Sequence, residues 1–227
     1  MFDKVIRVFS KRKEIIEDFR FAMRYYLVEK QKSDYACDLD KMSFFENKDV
    51  FKDFMIVNGA AYKKDNRVIA LLAGPYSGKT SALINEVKTG AQLISDDLLL
   101  VNKKTLNVYP LKKPVCFREK AIGLYGIKKE KLDENDIAYR YFYDEYGPRF
   151  VIHLFDVMDG DYVESPQTLT EIYMLNTSKK LYQEFMKLIK GFEKNDIGIV
   201  LTLYQKIKCL DSFNNITCEN IITSEAG

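Results

Sequence analysis

Hydrophobic and polar positions along the chain change period several times, and each change predicts an element. "KVIRVFS" (residues 4–10) alternates apolar and polar side chains and predicts a first strand. "KEIIEDFRFAMRYYLVEK" (13–30) sets Ile15, Ile16, Phe19, Met23, Tyr26 and Leu27 on one helical face. "DVFKDFMIVNGAAYKKDNRVIALLAG" (49–74) predicts two strands joined by a turn at "KKDN". "TSALINEV" (80–87) has helical spacing, and Gly90 supplies a stop. "AQLISDDLLLVNKKTLNVYP" (91–110) reads as a buried strand, an acidic interruption and a hairpin-like return through "NKK". Further strands are predicted at "RFVIHLFDV" (149–157) and "IGIVLTLYQ" (197–205). "TLTEIYML" (168–175) and "SKKLYQEFMKLIKGFEK" (178–194) are predicted as helices, the second ending near Gly191. Strand and helix signals are interspersed, which predicts an α/β class with a mixed β-sheet and flanking helices. No repeat or Pro/Gly/Ser linker divides residues 1–227, so a single domain is expected.

Composition narrows the function more than the fold. With 47% apolar and 30% charged residues, the chain has the make-up of a globular protein with an ordinary core. A formal net charge of +2 gives no overall push towards nucleic acid or a membrane surface, and neither is expected as a partner. Cys37, Cys116, Cys209 and Cys218 lie far apart, and His153 is the only histidine, so no metal-site spacing exists. Free thiols, a charged N-terminus and the lack of any apolar run near the roughly 18 residues of a span predict a cytoplasmic protein. The sequons at Asn176 and Asn215 are then chance matches.

"IALLAGPYSGKTS" (69–81) is the stretch with the clearest chemistry. A phosphate-binding loop has glycine, four free positions and then Gly-Lys-Ser/Thr, between a strand and a helix. Here Ala73 holds the first position and Gly74 comes one residue late, a difference of one methyl. Gly78 lets the main chain approach an anion, Lys79 brings a point charge for the β- and γ-phosphates, and Thr80 brings a hydroxyl for Mg²⁺.

Asp96 and Asp97 interrupt the otherwise apolar "QLISDDLLLV". Two carboxylates there are costly to desolvate unless a cation or hydrogen bonds compensate. One reading is a surface turn between two short strands; the other is a Walker-B-like site with one carboxylate on Mg²⁺. The pair follows the loop by one helix, the spacing of a β-loop-α-β unit that returns the next strand beside the first.

"LLAGPYSGKTSALINEVKTGAQLISDDLLLV" followed by "YPLKKPVCFREKAIGLYGI" resembles the HPr kinase/phosphorylase catalytic domain over about residues 55–155. It resembles still more the small HPr-kinase-related kinases of peptide and natural-product pathways, a group that shares its nucleotide loop with phosphoenolpyruvate carboxykinases. The resemblance implies a P-loop kinase core of that type. It implies nucleotide contacts along Ala73, Gly74, Pro75, Tyr76, Ser77, Gly78, Lys79, Thr80 and Ser81, with Lys79 also touching the transferred phosphoryl group. Mg²⁺ is expected on Thr80 and one of the two aspartates; by analogy Asp97 is given to the metal and Asp96 to the base, with Glu119 as the downstream acidic residue. Two departures stand out. The family's separate N-terminal domain has no counterpart in the 50 or so residues ahead of the matching region. Its histidine about fifteen residues before the loop is here Asn58, which cannot carry a charge.

The expected activity is an ATP- and Mg²⁺-dependent transfer of the γ-phosphate to a hydroxyl, that of serine in the first instance, of a peptide or small protein. Transfer to a free small molecule such as an amino acid, or nucleotide binding without turnover, remain as alternatives, and homo-oligomerisation is left open. Arg118 and Arg149 are candidates either for positive charge at the reaction or for salt bridges, while His153, within "FVIHLF", is expected to be packed. The tyrosines of "YRYFYDEYG" (139–147) suit either a peptide-docking surface or packing against the sheet.

Overall fold

The computed structural model describes residues 5–28, 32–73, 77–135, 137–144, 147–175, 200–204 and 221–223, the last two segments as backbone. In chain order the strands are β1 (Ile6–Phe9), β2 (Tyr35–Asp38), β3 (Phe54–Val57), β4 (Ala60–Lys64), β5 (Arg67–Ala73), β6 (Gln92–Ser95), β7 (Leu99–Asn102) and β8 (Asn107–Tyr109). They continue as β9 (Val115–Arg118), β10 (Tyr139–Asp144), β11 (Gly147–Ile152), β12 (Gln167–Thr168), β13 (Glu171–Leu175), β14 (Val200–Tyr204) and β15 (Ile221–Thr223). The helices are α1 (Lys13–Ala22), α2 (Lys48–Phe51), α3 (Lys79–Lys88), α4 (Glu119–Ile122) and α5 (Lys129–Glu134). The class is mixed α/β, with strands predominating over a few short helices. No helix among the described residues is long and apolar enough to cross a membrane.

The strands form four sheets rather than the single mixed sheet expected. Six strands run in the order β15-β14-β13-β5-β4-β6, four in the order β12-β8-β7-β3, three in the order β10-β11-β9, and β1 pairs with β2. The central strand of the largest sheet is β5, parallel to β13 and antiparallel to β4. Its residues alternate between two cores. Ile69, Leu71 and Ala73 face a cluster with Leu83, Val87 and Phe150, while Val68, Ala70 and Leu72 face one with Val101, Ile172 and Met174. A strand buried on both faces reads as a continuous apolar run, which is why "VIALLA" carries no polar alternation.

Three expectations are corrected. "TLTEIYML" is not a helix: its second half is β13, lodged between β5 and β14 and parallel to both. A short apolar run has no length with which to separate the two periods, and burial on both faces decides for the strand. The predicted strand through "FMIVNGAAY" divides at Asn58-Gly59, so that β3 joins the four-stranded sheet and β4 the six-stranded one. A Cβ on Gly59 would stand 2.9 Å from Leu99 Cδ1, 3.0 Å from Leu72 Cδ2 and 3.1 Å from the Leu71 carbonyl oxygen. Only glycine allows the two layers to approach there. The helix predicted to run through residue 30 stops at Ala22 and gives way to a 3₁₀ turn, Arg24–Tyr26.

Other features follow the sequence pattern. The "KKDN" turn joins β4 to β5, with Asp65 at φ 54°. The tyrosine-rich stretch is strand β10, whose Tyr139 and Tyr141 rings pack on Phe150 while Phe142 and Tyr143 are exposed. His153 is fully buried, its Nε2 2.7 Å from the Phe21 carbonyl oxygen, and desolvation holds it below its usual pKa. The predicted helix at 178–194, Cys209, Cys218 and both sequons lie outside the described residues; of the 197–205 strand, Val200–Tyr204 is described as β14.

Candidate functional site

Strand β5 ends at Ala73, and helix α3 begins at Lys79. Gly74, Pro75 and Tyr76 lie outside the described residues, so the loop is defined here by its two ends. Gly78 caps α3 at φ 80°, ψ 13°, a left-handed conformation that a side chain disfavours and glycine adopts freely. The following helix buries Ala82, Leu83, Ile84 and Val87 against the core, which fixes its first turn beside the end of β5. Ser81 accepts a hydrogen bond at 2.6 Å from the hydroxyl of Tyr125, a partner that no local pattern announces.

The chain then returns through β6, but not beside β5: β4 lies between them, antiparallel to each. The expected adjacency is therefore corrected to a next-but-one arrangement. What matters for chemistry is the end of β6, where Ser95 leads into Asp96, Asp97 and then β7 of the other sheet. The turn is tight. Leu98 N–H donates to the Asp96 carbonyl oxygen at 2.8 Å, and Asp97 between them sits at φ 63°. A positive φ on a residue with a side chain costs roughly 1–2 kcal/mol, and such strain gathers at functional sites. The Ser95 hydroxyl donates to the Leu98 carbonyl, and Gly59 N–H donates to the Asp97 carbonyl at 3.3 Å. The acidic turn is thus held to another point at which the chain passes between the same two sheets, the β3–β4 junction.

The geometry brings the loop and the acidic pair together. Thr80 Oγ1 lies 3.2 and 3.1 Å from the two carboxylate oxygens of Asp96, and Lys79 Nζ lies 2.9 Å from Asp97 Oδ1. The two aspartates are dissimilar. Asp96 is only 2% exposed, whereas the Asp97 side chain keeps 51% of its surface in water. Desolvation, reinforced by the charge of Asp97, pushes the Asp96 carboxyl up to about 6 against the pull of Lys79, Lys113 and the Thr80 hydroxyl. Burial acts in the same direction on Asp97, but the ion pair with Lys79 and the charges of Lys113 and Arg149 together outweigh it and hold the carboxyl below its usual range. Two neighbouring carboxylates pushed apart in this way are suited to different tasks.

Where the analogy gives Asp97 to the metal and Asp96 to the base, the structure sets the loop hydroxyl on Asp96 and the loop ammonium on Asp97. Glu119 is exposed at the start of α4, and among the described residues no three His, Cys, Asp or Glu side chains gather as a metal site. Glu119 is therefore not brought together with the aspartates in this structure. Asn58 is exposed, next in sequence to the Gly59 that bonds the acidic turn.

Sequence reasoning left two neighbours of this site unassigned. Cys116 on β9 accepts a hydrogen bond from Arg149 Nη1 of β11 at 3.7 Å. Its thiol is raised chiefly by burial, and the charges of Asp97 and Asp96 add to that against the pull of Arg149. Lys113 contributes positive charge to both aspartates. Their approach is set by pairing between distant strands, which spacing along the chain does not encode. No protein-family model matches this chain, and no curated protein matches it either.

Proposed function

We propose that the chain binds a nucleoside triphosphate, ATP in the first instance, between β5 and α3. It then transfers the γ-phosphate to a hydroxyl of a peptide or small protein. The observation that carries this reading is the double pairing across the site: the loop hydroxyl with Asp96 and the loop ammonium with Asp97. A surface turn between two strands would not need its buried carboxylate to meet the hydroxyl at the start of an anion-binding helix.

Thr80 Oγ and the Asp96 carboxylate are hard oxygen donors in contact, a set suited to Mg²⁺, which takes one or two carboxylates together with substrate phosphates and water. Bound there, the ion would neutralise charge on the phosphates. Asp96 has the burial and the hydroxyl partner of a metal ligand, so the metal role passes to it and the proton-accepting role to the more exposed Asp97. Lys79, released from Asp97, supplies positive charge to the phosphoryl group, and Asp97 orients the acceptor hydroxyl and takes its proton. The core is then of the P-loop kinase type.

The test has two stages. ATP with Mg²⁺ should raise the melting temperature of the wild type and not that of Lys79→Ala. Asp97→Asn should keep that shift while losing phosphate transfer by at least about 100-fold. Loss of the shift in neither variant, or unimpaired transfer by Asp97→Asn, refutes the assignment.

A further inference from the structure

Tyr125 reaches the nucleotide helix from a separate part of the fold. It ends the 3₁₀ turn Gly123–Tyr125 that follows α4. Gly126 closes that turn at φ 76°, its N–H donating to the Gly123 carbonyl at 3.1 Å. Ile122 and Ile127 on either side are buried, so the turn is anchored in the core. The tyrosine ring stands 5.7 Å from that of Phe117 on β9, and Lys88 Nζ lies 5.4 Å from its centroid. Lys88 and Ser81 lie on one face of α3, about two turns apart. The ring therefore runs along α3, and its hydroxyl meets Ser81 Oγ at 2.6 Å.

That bond has a direction. A phenol is a far stronger acid than an alcohol, so Tyr125 donates and Ser81 accepts. The proton of the Ser81 hydroxyl is then turned away from Tyr125, and accepting one bond strengthens the hydroxyl as a donor in the next. A helical serine commonly returns its proton to the carbonyl one turn back. Among the described residues Ser81 makes no such bond. A hydroxyl with a proton to give, in the first turn of α3, is suited to an anion at the helix start. Thr80, one residue earlier and about 100° round the helix, meets Asp96 instead. Ser81 thus faces a different side of the loop from the aspartates, away from the phosphoryl group that is transferred.

We infer that Tyr125 is a positioning residue for the nucleotide, orienting the Ser81 hydroxyl towards the phosphates that remain on ADP. The inference rests on the kinase reading above and adds to it a residue from a segment remote from the loop in sequence. It also fixes where the effect appears. The phosphates that Ser81 meets are present before and after transfer, so ATP and ADP respond alike.

The experiment titrates ATP and ADP, each with Mg²⁺, calorimetrically into the wild type, Ser81→Ala and Ser81→Thr, each with and without Tyr125→Phe. Phenylalanine keeps the ring beside Phe117 and Lys88 and removes only the hydroxyl; urea unfolding checks that every variant is folded. Ser81→Ala should weaken both nucleotides about tenfold to 30-fold, and Tyr125→Phe about threefold to tenfold. Tyr125→Phe should add nothing in Ser81→Ala, where no hydroxyl is left to orient, and should regain its effect in Ser81→Thr. A tyrosine that only held its turn against α3 would weaken binding equally in all three backgrounds, and that result overturns the inference. Unchanged affinity in Tyr125→Phe overturns it too, as does a loss confined to ATP. Failure of the wild type to bind either nucleotide refutes the kinase reading itself. Binding by the wild type with no response to Tyr125→Phe leaves that reading standing and removes only the inference.

Discussion

Replacing Asp96 by asparagine should make the protein more stable while abolishing the proposed phosphate transfer. Asp96 is buried and its carboxyl is raised from 3.8 to about 6. At pH 7 the folded chain carries a charge that the unfolded chain holds at lower cost, and the difference corresponds to about 3 kcal/mol at 1.36 kcal/mol per pH unit. A raised carboxyl gives the opposite linkage to that of a salt-bridged one. The fold is at full strength below about pH 4, where both states are protonated. It loses stability as pH rises towards 6, and the loss is complete above that. Asparagine keeps an oxygen to accept from the Thr80 hydroxyl and carries no charge. The variant should therefore exceed the wild type by up to about 3 kcal/mol at pH 7.5, or about 5–10 °C in melting temperature. The gap should close towards pH 4. Urea unfolding of both proteins from pH 4 to 7.5 in EDTA reads this directly, and the difference between the two curves removes the contribution of titrating groups that do not interact with Asp96. A variant less stable than the wild type at neutral pH, or an offset that does not change with pH, would refute the account of Asp96 as a charge held at a cost for function.

Lys79→Ala should remove ATP binding and, by freeing Asp97 of its nearest cation, move the Asp97 carboxyl up towards the ordinary range; both follow from nucleotide titration and NMR of the side-chain carboxyl. Gly59→Ala should destabilise by about 1–3 kcal/mol in urea unfolding, since its new methyl meets Leu99, Leu72 and the Leu71 carbonyl at 2.9–3.1 Å. His153 is buried with a lowered pKa, so its contribution is present above its unfolded value of 6.5 and is lost as pH falls below it. His153→Gln should flatten that acid limb, measured as the pH dependence of unfolding between 7 and 5.

How much was legible in the sequence divides along local and non-local lines. The strand-loop-helix from Ile69 to Val87, the acidic pair and the β4–β5 turn rest on neighbours in sequence, and turn chemistry and periodicity expose them. The partner assignments do not. Whether Thr80 meets Asp96 or Asp97 depends on the backbone at Asp97, whose positive φ turns the two carboxylates in different directions, and aspartate carries no obligatory signal for it. The opposition of Arg118 and Arg149 arises from the register between β9 and β11, which are separated by α4 and α5. The division at Asn58-Gly59 hides in a continuous apolar run, and β13 escapes a reading by periodicity because a strand buried on both faces shows no period of two.

That last property bears on β5 itself. Most strands are kept in line by the contrast between an oily face and a wet one, so that a slip of one residue is penalised at every position. Strand β5 lacks this contrast: Ile69, Leu71 and Ala73 could exchange sides with Val68, Ala70 and Leu72 without exposing a polar group. Its alignment must come from anchors at its start, and two are present. The turn at Asp65 is one. The other is Thr170, whose hydroxyl accepts from Val68 N–H at 2.9 Å and donates back to the Val68 carbonyl at 3.0 Å. A slip of one position would carry the loop roughly 3.3 Å along the sheet and pull Thr80 off Asp96. Thr170, at the far end of β5 from the loop, therefore acts as the gauge mark against which the spacing of Thr80 and Asp96 is measured.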